Sequence, residues 1–184
     1  MRHAESVYNE KGILQGQIDC CLSEAGEKET ICKARYFDAS RYDLCICSPL
    51  CRAVRTAEIM APGLKRVLDD RLKERSLGDW EGTPVTDEKT FLIRVQGEVP
   101  PKGESEQEIR ERVTAFLKET LERYPEKRIL VVTHAGVIHT VREVLGLPKK
   151  PAENLCQQTI FLSSSSSQDS FCCRELDTIG DRRK

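Results

Sequence analysis

Short apolar runs alternate with amphipathic stretches along this chain, and that alternation limits the fold more than any other feature. In "YDLCICSPLCRAVRTAEIM" a run of small apolar residues passes into a helical pattern. Ser48 is placed to cap that helix and Pro49 to take its first position, where a missing N–H costs nothing. In "GESEQEIRERVTAFLKETLERYPEK", Ser105 and Glu108 form a capping box, and Ile109, Val113, Phe116 and Leu117 fall on one face. "RILVVTHAGVIHTVREVLGLP" reads as a buried strand, a turn and a helix stopped by Gly146 and Pro148. A weaker helix starts at Ser23. This pattern implies an α/β fold with a mainly parallel central sheet covered by helices. Ligands in such sheets sit beyond the carboxyl ends of the strands, which here deliver Ser48 to Arg52 and Thr133 to Gly136.

The 184 residues are expected to form a single domain, 1–184, with a core of ordinary size. "QQTIFL" and "FCCREL" read as a hairpin whose flexible tip is the Ser-rich stretch 163–170. A net charge of −1 gives no global field for nucleic acid or an anionic membrane, so attraction for an anion must be local. No apolar run reaches the roughly 20 residues that span a bilayer, and a soluble, cytoplasmic protein is expected. The 9 cysteines include no C-x-x-C and none at zinc-ligand spacing from a histidine. They are read as reduced, mostly small apolar residues.

With only 3 histidines in the chain, Arg2-His3 at its start stands out. Arg52, in the first turn of its helix, suits an anion, although a solvated arginine is the blander alternative. Arg55 more simply solvates a face. His134 closes "ILVVT" before Ala135 and Gly136, small residues that let a ligand approach the backbone; a hydrogen-bonded structural histidine is the alternative. His139, within the following helix, reads as structural. "LKERSLGDWEG" holds Glu74 among Leu72, Leu77 and Trp80, apolar neighbours that favour the protonated form a general acid needs, and Glu81 can be read the same way. Together, two arginines, two histidines and a carboxylic acid are what phosphoryl transfer through a phosphohistidine requires.

"RHAESVYN" resembles the Arg-His-Gly-Glu motif of the histidine phosphatase superfamily, the phosphoglycerate mutase-like family. The likeness continues in order through "QGQIDCCLSEAGEKE", "SPLCRAVRTAEI", "LKERSLGDWEG", "PPKGESEQEIRERV" and "VVTHAGVI". It implies a three-layer α/β/α sandwich with His3 as nucleophile, Arg2, Arg52 and His134 gripping the phosphoryl group, and Glu74 as proton donor. By the same resemblance Asn9, Gly16, Ser48 and Ala135 belong to the pocket and Glu104 lies near its rim. It implies no metal or other cofactor, and a small phosphorylated metabolite as partner. The family pattern begins with an apolar run ahead of Arg-His. Only Met1 stands there, so the usual first strand is expected to be lacking, through truncation or an upstream start. Ala4 and Ala135 replace commoner glycines.

The stretch Gly82 to Lys102 is short beside the insertion of cofactor-dependent mutases, which favours a phosphatase resembling the fructose-2,6-bisphosphatase (TIGAR-type) and broad-specificity branches. A phosphoglycerate mutase is the alternative. A catalytically impaired relative that binds phosphorylated ligands or proteins is the alternative from another class.

Overall fold

The structure is a computed structural model that describes residues 1–94, 96–164 and 171–176. In chain order the elements are α1 (Val7–Glu10), α2 (Glu24–Ala34), β1 (Leu44–Cys47), α3 (Cys51–Met60), β2 (Arg66–Leu68), α4 (Asp87–Arg94), α5 (Glu106–Arg123), β3 (Ile129–Val132), α6 (Ala135–Val144), β4 (Thr159–Ser164) and β5 (Phe171–Leu176). Strands β2, β1 and β3 form a parallel sheet in that order, with β1 and β3 in register from Leu44↔Ile129 to Cys47↔Val132. An antiparallel hairpin, β4–β5, closes the described chain.

All four residues of β1 are buried, because helices cover both sheet faces. The two-residue period of a strand sends Cys45 and Cys47 to one face, where they pack with Ala53, Ala57 and Met60 of α3. Leu44 and Ile46 point to the other, into the cluster of Ile109, Val113 and Phe116 from α5 and Val137 from α6. The result is the expected α/β/α sandwich. Ser105 and Glu108 make the capping box at α5, and the four-residue apolar stripe is its buried face. Ser23 caps α2 by accepting from the Gly26 amide, and Gly146, at φ +64°, follows the end of α6.

Three expectations need correction. Helix α3 starts at Cys51 with Leu50, not Ser48, as its N-cap, so Arg52 is its second residue. Ser163 and Ser164 belong to strand β4; of the expected hairpin tip, residues 165–170 lie outside the described residues. Finally, the position of a first strand is not vacant along its whole length. Met1 to His3 lie parallel to the end of β3: the Met1 ammonium donates to Val131 O at 2.8 Å, Thr133 N to Met1 O at 3.0 Å and His3 N to Thr133 O at 2.9 Å. Beyond Met1, a mostly apolar cavity of about 240 Å³ separates Ile129 and Val131 of β3 from Ile160 and Leu162 of β4. Among the described residues no helix is long and apolar enough to cross a membrane.

Candidate active site

The three parallel strands end on one side of the sheet, and their continuations bring the chemistry together. β1 runs into Ser48, β3 into Thr133 and His134, and β2 into the loop carrying Glu74. The ladder beside β3 sets Arg2 and His3 among them. Thr133 Oγ1 donates to Leu72 O at 2.8 Å, fastening the Glu74 loop to the strand end.

His3 and His134 are both buried, with ring centroids 5.0 Å apart. His3 Nδ1 lies 2.6 Å from Ala4 O; a carbonyl can only accept, so this nitrogen carries the proton and Nε2 keeps its lone pair. Burial holds the His3 pKa well below the ordinary 6.5, and the Arg2 and Arg52 guanidinium charges add to that effect. His134 is lowered in the same direction by burial, then by His3, Arg52, Arg2 and Arg112. Its Nε2 lies 2.8 Å from Ser48 Oγ, while its Nδ1 is buried without a hydrogen-bond partner.

Arg52, fully buried, donates to Ile18 O at 2.8 Å and to Gly16 O at 2.7 Å, and its Nε is likewise unpartnered. Gly16 has to be glycine here: its φ is +48°, and a Cβ would fall 2.1 Å from Glu81 Oε1. Arg2 donates from Nη1 to Ala152 O. Glu74, half-buried, accepts from the Arg75 amide at 2.9 Å and from the Gly136 amide at 3.2 Å, at the N-terminus of α6. A Cβ at position 136 would fall 2.3 Å from that carboxylate, which accounts for the glycine after Ala135, the first residue of α6.

The other carboxylates are spoken for. Glu81 Oε1 accepts from Gln17 N, Leu77 N and Ser76 Oγ, so it organises the loop that carries Gly16. Glu104 forms a two-point ion pair with Arg112, at 2.5 and 2.8 Å, and Arg112 also donates to the carbonyls of Arg71 and Glu74. Glu104 is therefore a prop beneath the Glu74 loop. Asn9 Oδ1 accepts from Ser6 N and Ser6 Oγ in the capping box of α1. Arg55 pairs on the surface with Glu27 and Glu58, and His139 is exposed.

Arg112, Thr56 and Asn154 escaped the sequence reading. Thr56 Oγ1 accepts from Ala4 N, and Asn154 Nδ2 donates to His3 O, so both position the His3 segment. Arg112 carried a usable signal: it sits three residues after Ile109 and four before Phe116, on the flank of the buried stripe, where a free surface arginine is not expected. Among the described residues no group of histidine, cysteine, aspartate and glutamate side chains is arranged to hold a metal. Chemically, the site offers a neutral imidazole lone pair, a ring of cations for an oxyanion and a carboxyl group on a helix terminus.

The family model described as Histidine phosphatase superfamily (branch 1) matches residues 1–170. The chain is 34% identical over 143 residues to the uncharacterized phosphatase PhoE of Bacillus subtilis, covering 77% of this chain and 72% of that protein. It is 33% identical over 181 residues to a protein of Cronobacter sakazakii named "Probable phosphoglycerate mutase GpmB", covering 92% and 84%. A mycobacterial glucosyl-3-phosphoglycerate phosphatase in complex with VO3 superposes with a TM-score of 0.78 at 27% identity, over 96% of this chain and 95% of that one.

Proposed function

The chain belongs to the histidine phosphatase superfamily, and from that premise we propose that it is a phosphatase acting on small phosphate monoesters through a phosphohistidine at His3. The observation that carries this reading is the state of His3. It is buried and held neutral beside two guanidinium groups, with Nδ1 committed to the Ala4 carbonyl and Nε2 left as the nucleophile. The buried, unpartnered Arg52 Nε and His134 Nδ1 lend further support, since a phosphate oxygen would satisfy donors at those positions.

In this mechanism Nε2 attacks phosphorus in line, forming the N–P bond as the ester P–O bond breaks. Arg2, Arg52 and His134 stabilise the equatorial oxygens. Glu74 gives its proton to the leaving alkoxide, then takes one from the water that attacks phosphorus. The N–P bond breaks, phosphate leaves and His3 is restored.

A mutase reading is supported by the GpmB relative. It uses the same residues but excludes water and returns the phosphoryl group to another hydroxyl. Turnover on a panel of sugar phosphates and phosphoglycerates, with the latter assayed for both hydrolysis and isomerisation, separates the two. Sustained phosphate release is expected. Isomerisation without release favours the mutase, and binding with neither favours a catalytically impaired relative.

A further inference from the structure

Three thiols gather where the loop carrying Gly16 and Ile18 meets the start of α3. The Cys51 Sγ lies 3.8 Å from the Cys21 Sγ. Cys20, beside them, donates instead to Gln15 Oε1 at 3.2 Å. Cys21 is exposed and Cys51 half-buried. Both backbones are anchored: Cys21 O accepts from Val7 N at 3.1 Å, and Cys51 N donates to Asp19 Oδ1 at 2.7 Å. The two sulfurs therefore stay close without being bonded.

We propose that Cys21 and Cys51 are a modification site, forming a reversible disulfide under mild peroxide that lowers turnover by pulling on the Arg52 site. A disulfide needs an S–S distance of about 2.05 Å, so the sulfurs approach by a little under 2 Å. Side-chain rotation supplies part of this, and the rest draws the start of α3 toward the loop. The next residue along the helix is Arg52, whose guanidinium is held by the Ile18 and Gly16 carbonyls of that same loop.

The chemistry balances with hydrogen peroxide as oxidant. The exposed Cys21 sulfur attacks one peroxide oxygen, the O–O bond breaks, and Cys21 becomes a sulfenic acid with release of water. The Cys51 sulfur then attacks the Cys21 sulfur, forming S–S and expelling the sulfenic oxygen as a second water. Two electrons pass from the thiols to peroxide, and both thiol protons end in water. Burial and the neighbouring Cys21 and Asp19 push the Cys51 thiol up to about 11, which leaves the first attack on peroxide to the exposed Cys21 and makes the Cys51 step the slower one.

The loss of turnover rests on the role proposed for Arg52; the disulfide does not. The test treats the full chain with a small excess of hydrogen peroxide and follows three readouts: non-reducing peptide mass spectrometry, KM and kcat on a phosphate monoester, and recovery with dithiothreitol. The expected result is a peptide pair joined through Cys21 and Cys51 with a loss of about 2 Da. It should be accompanied by a several-fold rise in KM that dithiothreitol reverses. Cys51→Ser and Cys21→Ser should keep the reduced enzyme's activity and lose its peroxide sensitivity. A link through Cys20, no link, or equal sensitivity in Cys51→Ser overturns the proposal, and a linked enzyme with unchanged KM and kcat overturns its regulatory half. A Cys21–Cys51 link in a chain whose reduced form hydrolyses nothing supports the modification site and counts against the phosphatase reading.

Discussion

Nε2 of His134 lies 2.8 Å from Oγ of Ser48, joining the ends of β3 and β1 side chain to side chain just past the Cys47↔Val132 pair. The parallel ladder thus continues into the site as a hydrogen bond between functional groups. Ser48→Ala would leave both ring nitrogens of a buried histidine without a partner. The expected cost is about 1–3 kcal/mol of stability, read by denaturant unfolding, together with a fall in kcat. Unchanged stability would mean that the hydroxyl does not orient the ring.

Since His3 and His134 are both lowered well below 6.5, the active neutral form should persist in mild acid. At pH 6 an ordinary histidine is mostly protonated, yet kcat/KM should still lie on its plateau. Stability behaves differently. Below 6.5 the unfolded chain takes up protons that the folded histidines refuse, so stability is fully present above 6.5 and declines as pH falls toward the depressed folded values. The slope is up to about 1.4 kcal/mol per pH unit for each histidine. Urea midpoints measured from pH 7.5 to 5 check the sign; a midpoint that rises in acid contradicts it.

Glu74→Gln should separate leaving groups. Losing a general acid costs about 10²–10⁴-fold when the departing alkoxide needs a proton. An alkyl phosphate should therefore slow severely, while p-nitrophenyl phosphate, whose phenolate leaves unaided, is largely spared. Glu104→Gln should show the same leaving-group dependence in milder form, since Glu104 acts through Arg112 on the loop that carries Glu74.

The parts of this molecule that were legible in sequence are those governed by short-range rules. The Ser105–Glu108 box and the stripe from Ile109 to Leu117 follow from neighbours three and four residues apart. The two-residue period of β1, which divides its side chains between the two sheet faces, is local in the same way. Ser48 shows where such rules stop. A serine before a proline looks like a cap, but its hydroxyl is claimed by a histidine 86 residues away, and the helix begins later. Glu74 and Glu81 share one loop and one kind of neighbourhood in sequence. Only the fold gives Glu81 its three donors and places Glu74 on the α6 terminus. Thr56 and Asn154 act across 52 and 151 residues, and Arg112 reaches the Glu74 carbonyl across 38, so local pattern could not assign those partners. Sequence alone reads the cysteines as reduced, mostly small apolar residues. That suits Cys45 and Cys47, which are buried, but not the exposed Cys21 and Cys32.

The cavity between β3 and β4 should respond to being filled. A variant with about eight residues ahead of Met1, patterned as an apolar strand, would cover the Ile129–Val131 edge and replace the buried Met1 ammonium by a peptide N–H. Three buried apolar side chains contribute about 1.5–3 kcal/mol each before ordering costs. The melting temperature should rise by several degrees, at about 2–4 °C per kcal/mol for a chain of this size. No gain in melting temperature would show that the cavity is not a strand site.

The central claim is that His3 carries the phosphoryl group, and trapping it is the most direct measurement. Quenching in alkaline denaturant within milliseconds of mixing with a ³²P-labelled phosphate monoester, followed by peptide mapping at alkaline pH, should place acid-labile, alkali-stable label on His3. The label should disappear in His3→Ala and persist in His139→Ala. Label that survives His3→Ala, or maps to His134, would contradict the account.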